Sequence, residues 1–169
     1  MTLLTVAQVR AVVTTALDDT RLSEIIEREE AEAERRFGVP GDGTTPRTET
    51  LEACGADVFT AAPILTVSSV TERTLTTAAQ TVAASQYHVW PKQGRITKTD
   101  GVWLPIVTVT YVPADVRDRW RSVLIEIVRQ ALEQTAMRSE NVADEYDYQA
   151  PEWEAQRVRL YRRLKFTSF

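Results

Sequence analysis

The residues with the greatest chemical reach are few. The chain holds one histidine, His88, and one cysteine, Cys54. Paired, they would make a thiolate nucleophile and its base; with further donors they would ligate zinc. The two are far apart in sequence, and neither sits in a motif that goes with either chemistry. The six glycines (38, 41, 43, 55, 94 and 101) fall where turns and helix caps are expected, so no phosphate-cradling loop is present. No Gly-x-Ser-x-Gly elbow occurs. The acids of residues 24–34 are interspersed with or flanked by Arg28, Arg35 and Arg36, which reads as a solvated, ion-paired helix face rather than a metal site. No catalytic residue, metal or cofactor is therefore expected, and the chain reads as non-enzymatic.

Charge narrows the classes further. The net charge is −4 and the pI about 5.2, without the basic excess that phosphate binding demands. A helical pair at residues 5–37 raises the question of helix-turn-helix DNA reading. Its second helix carries six Glu and four Arg, a poor composition for contacting bases and phosphates. No run of about 20 apolar residues suggests a membrane span, and Met1–Thr5 lacks the basic and apolar regions of a signal peptide. A single cysteine excludes an intrachain disulfide framework, which fits a reducing cytoplasm as the site of synthesis.

The elements that would position any site follow from periodicity. Thr5 and Gln8 have capping-box spacing, and Leu4 and Val9 that of a hydrophobic staple. With Val6, Val13 and Ala16 they predict a helix over 5–17. Leu22, Ile25, Ile26, Ala33 and Phe37 carry the stripe of a second helix, 20–37, closed by Gly38 and Pro40. Short strands are predicted at Thr48–Ala53, Ile64–Val67, Val70–Thr76, Tyr87–Trp90 and Arg95–Thr99. Asp100-Gly101 signals a hairpin turn into Val102–Val112. In that last strand Val107, Val109 and Tyr111 alternate with Thr108 and Thr110, so one face is buried.

A long helix over 114–138 bears the strongest apolar stripe, including Trp120, Val123, Leu124, Ile127 and Val128. With Val9, Val13, Ile26 and Phe37 these are the expected core. The fold class expected is α+β, mainly α. The helical hairpin and long helix form a bundle, a small antiparallel β-meander (47–112) is inserted, and a C-terminal helical arm follows. The expected division is a body, 1–143, and a linker with terminal helix, 144–169.

The C-terminal segment has its own character. Asp144, Glu145, Asp147, Glu152 and Glu154 form an acidic run, and Arg157, Arg159, Arg162, Arg163 and Lys165 a basic one. Pro151 suits a helix start. Trp153, Leu160, Tyr161 and Leu164 form a partial stripe that Phe166 and Phe169 extend. This helix either folds back to complete the core or projects to enter a partner. Aromatic and arginine side chains dominate protein interfaces.

The order of parts, with Leu3–Arg10, Ile64–Glu72, Val123–Leu132 and Arg138-Ser139-Glu140, resembles the head–tail connector (adaptor, or head-completion) proteins of tailed bacteriophages. The resemblance implies a virion structural protein that forms a ring, a dodecamer, between the portal and a stopper or tail protein. Packaged DNA would pass through its lumen without sequence-specific binding, and the virion neck would be its location. It implies portal docking through Trp153, Arg157, Leu160, Tyr161, Leu164, Phe166 and Phe169. The alternatives are another small neck or tail-completion protein and, less favoured, a DNA-binding regulator.

Overall fold

A computed structural model describes residues 2–140 and 151–165, with side chains for all but 135–140 and 151. Residues 141–150, most of the expected linker, lie outside the described residues, as do Phe166 and Phe169. The chain divides into two compact units. A helical one is built from residues up to Pro40 together with Arg117–Lys165, and a β one from Gly41–Val116.

The helical unit begins with α1, Val6–Arg10. Both halves of the predicted capping box form: Gln8 N donates to Thr5 Oγ1 at 3.3 Å and Thr5 N to Gln8 Oε1 at 2.9 Å. Leu4 and Val9, the staple pair, are both buried. The helix stops at Arg10 rather than residue 17. The run Val12-Val13-Thr14-Thr15 is β-branched throughout, which disfavours helix. The Arg10 guanidinium ties this connection down, donating to Leu17 O and Asp19 Oδ1, each at 2.7 Å.

Helix α2, Asp19–Phe37, starts from the Asp18 side chain, which accepts from Arg21 N at 2.8 Å, and ends at Gly38. It buries Leu22, Ile26, Glu29, Glu30 and Ala33. Helix α3, Arg117–Glu140, buries Trp120, Val123, Leu124, Ile127, Val128 and Leu132. Helix α4, Pro151–Arg162, packs on α3. Each large side chain buried here contributes about 1.5–3 kcal/mol. Of the expected core residues, all are buried except Phe37, which is half-buried against the Tyr161 ring at 6.4 Å.

The β unit overturns the expectation of a helical bundle with a small meander inserted. It contains two antiparallel sheets. One has four strands in the order β1-β7-β3-β4: Arg47–Glu52, Ile106–Pro113, Ile64–Arg73 and Gln80–Thr81. The other has three, β2-β6-β5: Asp57–Phe59, Arg95–Lys98 and Tyr87–Trp90. Both sheets contribute to one core: Val58 and Ile96 from the smaller, Ile64, Val70, Val107, Val109 and Tyr111 from the larger, with Val82 and Trp103 between strands. The unit thus has a core of its own. The chain is α+β in two comparable parts.

Three local differences explain the misjudged weight. Strand β3 runs unbroken through Ser68-Ser69, with register shifts, where two short strands were predicted. Strand β2 lies in a stretch where no strand was predicted. Asp100-Gly101 does not close a hairpin, because β6 is already paired on both sides, by β2 and β5. Residues 102–105 instead run past Gly55, where Trp103 N donates to Gly55 O at 3.0 Å and the Trp103 ring is buried. By contrast, Pro91–Gln93 and left-handed Gly94 (φ 58°) turn β5 tightly into β6.

Candidate assembly surfaces

The two residues with most catalytic potential are both at the surface. Cys54 is exposed, and His88 sits on β5 with its ring edge-on to Trp90, 4.7 Å between centroids. Among the described residues no group of three or more His, Cys, Asp or Glu is placed to hold a metal ion. No helix among them is long and apolar enough to cross a membrane.

The acidic face of α2 is not wholly the solvated face expected. Glu32 behaves as predicted: Arg35 and Arg36 pair with it at 2.8 and 2.5 Å, and their hydrogen bonds hold its carboxyl down at about 2. Glu29 and Glu30, however, are buried. Glu30 accepts the backbone N–H groups of Leu3 and Leu4, at 2.9 and 2.7 Å, and so fixes the strand of chain leading into α1. Burial raises its pKa, and those two backbone bonds partly offset the rise. Glu29 has no exposed side-chain surface. Its Oε2 accepts from Arg157 Nη2 at 2.6 Å and from the Tyr161 hydroxyl at 2.8 Å, and its Oε1 from Arg28 Nη2 at 3.0 Å. The signal for both was available: Leu22, Ile26, Glu29, Glu30 and Ala33 continue one helical stripe.

Glu29 thereby fixes where α4 lies. Of the two positions the sequence allows for this helix, the structure has the folded-back one. Tyr161 and Leu164 are buried, while Trp153, Arg157 and Leu160 are half-buried. The guanidinium groups of Arg36 and Arg157 lie over the Tyr161 ring at 4.8 and 5.6 Å. The Tyr161 hydroxyl is pushed up to about 12, first by burial, with its bond to Arg157 pulling down and its bond to Glu29 pushing up. Arg163 pairs with Glu126 of α3 as well. The residues expected to meet a partner are thus split between those that seat α4 and those that retain exposed surface.

A surface that sequence reasoning passed over lies on the smaller sheet. Strand alternation turns Val58, Ile96 and Val89 inward and leaves the opposite face outward. Register places Phe59, Arg95 and Trp90 in one cross-strand row and Asp57, Thr97 and His88 in the next. Phe59 is 43% exposed and Trp90 42%, which is high for side chains of this size on a regular sheet. The Arg95 guanidinium stacks on Trp90 at 4.6 Å, Trp90 Nε1 donates to Thr97 Oγ1 at 3.2 Å, and that hydroxyl donates to Asp57 at 2.5 Å. These contacts hold the aromatic rings in place before any partner arrives. The signal was the pairing of Trp90 with Arg95 across a tight turn.

No family model and no curated protein matches the chain. Among solved structures it is similar to a chain described as the neck of an empty GTA particle computed with C6 symmetry. The TM-score is 0.55 at 18% identity, over 99% of this chain and 92% of that one. At that identity the likeness is one of fold.

Proposed function

We propose that this chain is a non-enzymatic structural subunit of the neck of a phage-like particle, working as one copy in a ring. The observation that carries the reading is the fold likeness to a neck chain of a gene transfer agent over nearly the whole of both chains. It agrees with the order of parts that resembles the head–tail connectors. The ring extends the portal channel as an adaptor, with a stopper or tail protein on its other side. Six-fold symmetry in the related particle is compatible with six copies or with the twelve the connector resemblance implies.

The acidic balance of the chain suits a lumen through which DNA slides without sticking, since like charges repel. A ring joins unlike surfaces of neighbouring copies. The Phe59–Arg95–Trp90 row supplies one such surface: Trp, Arg and Phe concentrate at interface centres, and these are held in place beforehand. Portal docking falls to residues 144–169. Trp153 and Leu160 keep exposed area for it, while Tyr161 and Leu164 seat α4. The test is electron microscopy of the purified chain mixed with its portal. Rings seated on the portal support the reading, and a chain that stays single and leaves the portal bare defeats it.

A second reading, another neck or tail-completion protein, shares the fold support but predicts binding to the tail side and not to the portal. The same experiment separates them.

A further inference from the structure

The chain has no Asp, Glu, Lys or Arg from Thr74 to Pro91, although 26% of its residues are charged. Two shorter uncharged stretches, 58–71 and 101–114, supply the core of the β unit, with Ile64, Val70, Trp103 and Val107 among their buried side chains. The 74–91 run does not. Only Val82 in it is buried, and all the rest but Thr74, Tyr87 and Val89 are exposed. A surface that faces water carries roughly 25–35% charged residues. The core of a protein interface is depleted of them.

The run supplies an end strand of each sheet, β4 of the larger and β5 of the smaller. At the β3–β4 turn, Leu75 is 83% exposed. Thr74 N donates to Thr77 Oγ1 at 3.0 Å and Thr77 N to Thr74 Oγ1 at 3.2 Å, which holds the turn in one shape. A turn already ordered loses little freedom when a partner covers it.

Backbone groups add to this. Lys98 N donates to Ala56 O at 2.8 Å on the β2 side of β6, and Thr99 N to Gln86 O at 2.9 Å on its β5 side. Antiparallel alternation then turns the N–H and C=O groups of Tyr87 and Val89 to the outer edge of β5, and those of Asp57 and Phe59 to the outer edge of β2. No further strand of this sheet lies beyond either edge. Proteins guard such edges with charge, lysine above all, and the β5 strand carries none.

We propose that this uncharged side is the contact for a second copy of the chain, with β5 of one copy laid beside β2 of the next. The proposal rests on the ring reading above and names the surfaces that close the ring. Strands β2 and β5 are the two ends of one sheet, so the contact joins unlike surfaces and repeats from copy to copy, as a ring requires. The Phe59–Arg95–Trp90 row crosses that sheet from β2 to β5. Trp90 of one copy then falls beside Phe59 of the next, and the row runs on across the contact. Nucleic acid would find no cation in residues 74–91 for its phosphates.

Cys54, the single cysteine, is exposed on the connection into β2, and Ser85 is exposed just before β5. The parent chain is mixed with a Cys54→Ser/Ser85→Cys variant, assembled on the portal and treated with a short bis-maleimide. A cross-linked dimer is expected from the mixture and from neither protein alone. A second variant, Thr81→Glu/Ala84→Glu, places charge at two exposed positions of the uncharged side. It should melt within about 2 °C of the parent chain. Its concentration for half-maximal ring assembly should rise at least ~10-fold, because each new charge is buried without a partner. The cross-link decides the matter even where the glutamate variant melts early. Rings on the portal without a mixed dimer overturn this proposal and leave the ring reading standing, as do glutamate-variant rings at the parent's concentration. Dimers from either protein alone also overturn it, since like edges would then meet. A parent chain that leaves the portal bare defeats the ring reading, and this contact with it.

Discussion

Arg157 of α4 donates to Glu29 of α2 at 2.6 Å, and the Glu29 side chain has no exposed surface. The last helix is therefore seated through a buried carboxylate as well as through apolar contact. Removing one member of a fully buried pair costs about 3–5 kcal/mol. Arg157 keeps roughly a third of its side chain in water, which lowers the figure. Glu29→Ala is expected to destabilise by about 2–3 kcal/mol, chiefly because the Tyr161 hydroxyl and Arg157 lose their acceptor. Arg28→Ala, at an exposed side chain, should stay within about 0.5 kcal/mol. Urea unfolding midpoints of the two variants check both figures.

The same contact gives an alkaline signature. Tyr161 has its pKa raised from 10.0 to about 12 in the folded chain, first by burial. A raised folded pKa means that the folded state holds the proton more tightly. The resulting stability is complete below pH 10 and is lost as pH climbs toward 12. Tyr161→Phe keeps the ring and removes the titration. Its unfolding free energy should vary less with pH between 10 and 12 than that of the parent chain. Parallel slopes for both proteins would show that Tyr161 contributes nothing there.

Glu30 offers a distinction between charge and hydrogen bonding. Its carboxylate accepts from Leu3 N and Leu4 N, while burial works against its charge. Glu30→Ala strands two backbone donors and should cost about 2–4 kcal/mol, at about 1–3 for each unmet group. Glu30→Gln keeps an acceptor without the buried charge and should cost less than half as much. Hydrogen exchange at Leu3 and Leu4 should accelerate in the alanine variant and change little in the glutamine one.

In the β unit Gly41 is fixed by close approach. A Cβ there would stand 2.3 Å from the Ala114 carbonyl oxygen, which is backbone and cannot swing aside. Gly41→Ala should lower the melting temperature by several degrees through strain of about 1–3 kcal/mol. Gly55→Ala, where a Cβ meets nothing within 4 Å, is the matched control. Similar melting of the two variants would contradict the packing described.

How much of this was legible in the sequence depended on the range of the interactions. Local signals read true: the Thr5–Gln8 box, the Gly38 stop and the alternation of Val107, Val109 and Tyr111 all correspond to observed features. Pairing between distant strands did not read. Strand β1 meets β7 across the whole β unit, with Thr48 bonded to Thr110 at 3.0 Å and Thr50 to Thr108 at 3.2 Å, and nothing local announces that register. Asp100-Gly101 misled because a two-residue turn sequence favours a hairpin only if the next strand has a free edge to join. For the candidate surfaces, Glu29 was misread because its charge outweighed its position on the apolar stripe. Arg157 and Tyr161, which satisfy it, lie more than a hundred residues on.

The sheet face in the β unit separates assembly from folding. Phe59→Ser with Trp90→Ser removes two outward rings that contribute little to the core. The double variant should keep its melting temperature within about 2 °C, as expected for surface changes. It should elute as a single copy under conditions where the parent chain forms rings. Rings of unchanged size would remove this face from the subunit contact.

The central claim is membership of a neck ring, and electron microscopy of the chain with its portal tests it most directly. The account predicts annular density in register with the portal channel, with a symmetry compatible with the six-fold order of the related neck. It also predicts loss of that density in a Trp153→Ser/Leu160→Ser variant, which alters the half-exposed side chains of α4 and leaves its buried seat on Glu29 in place. A portal left bare at saturating concentrations of a folded, full-length chain would contradict it.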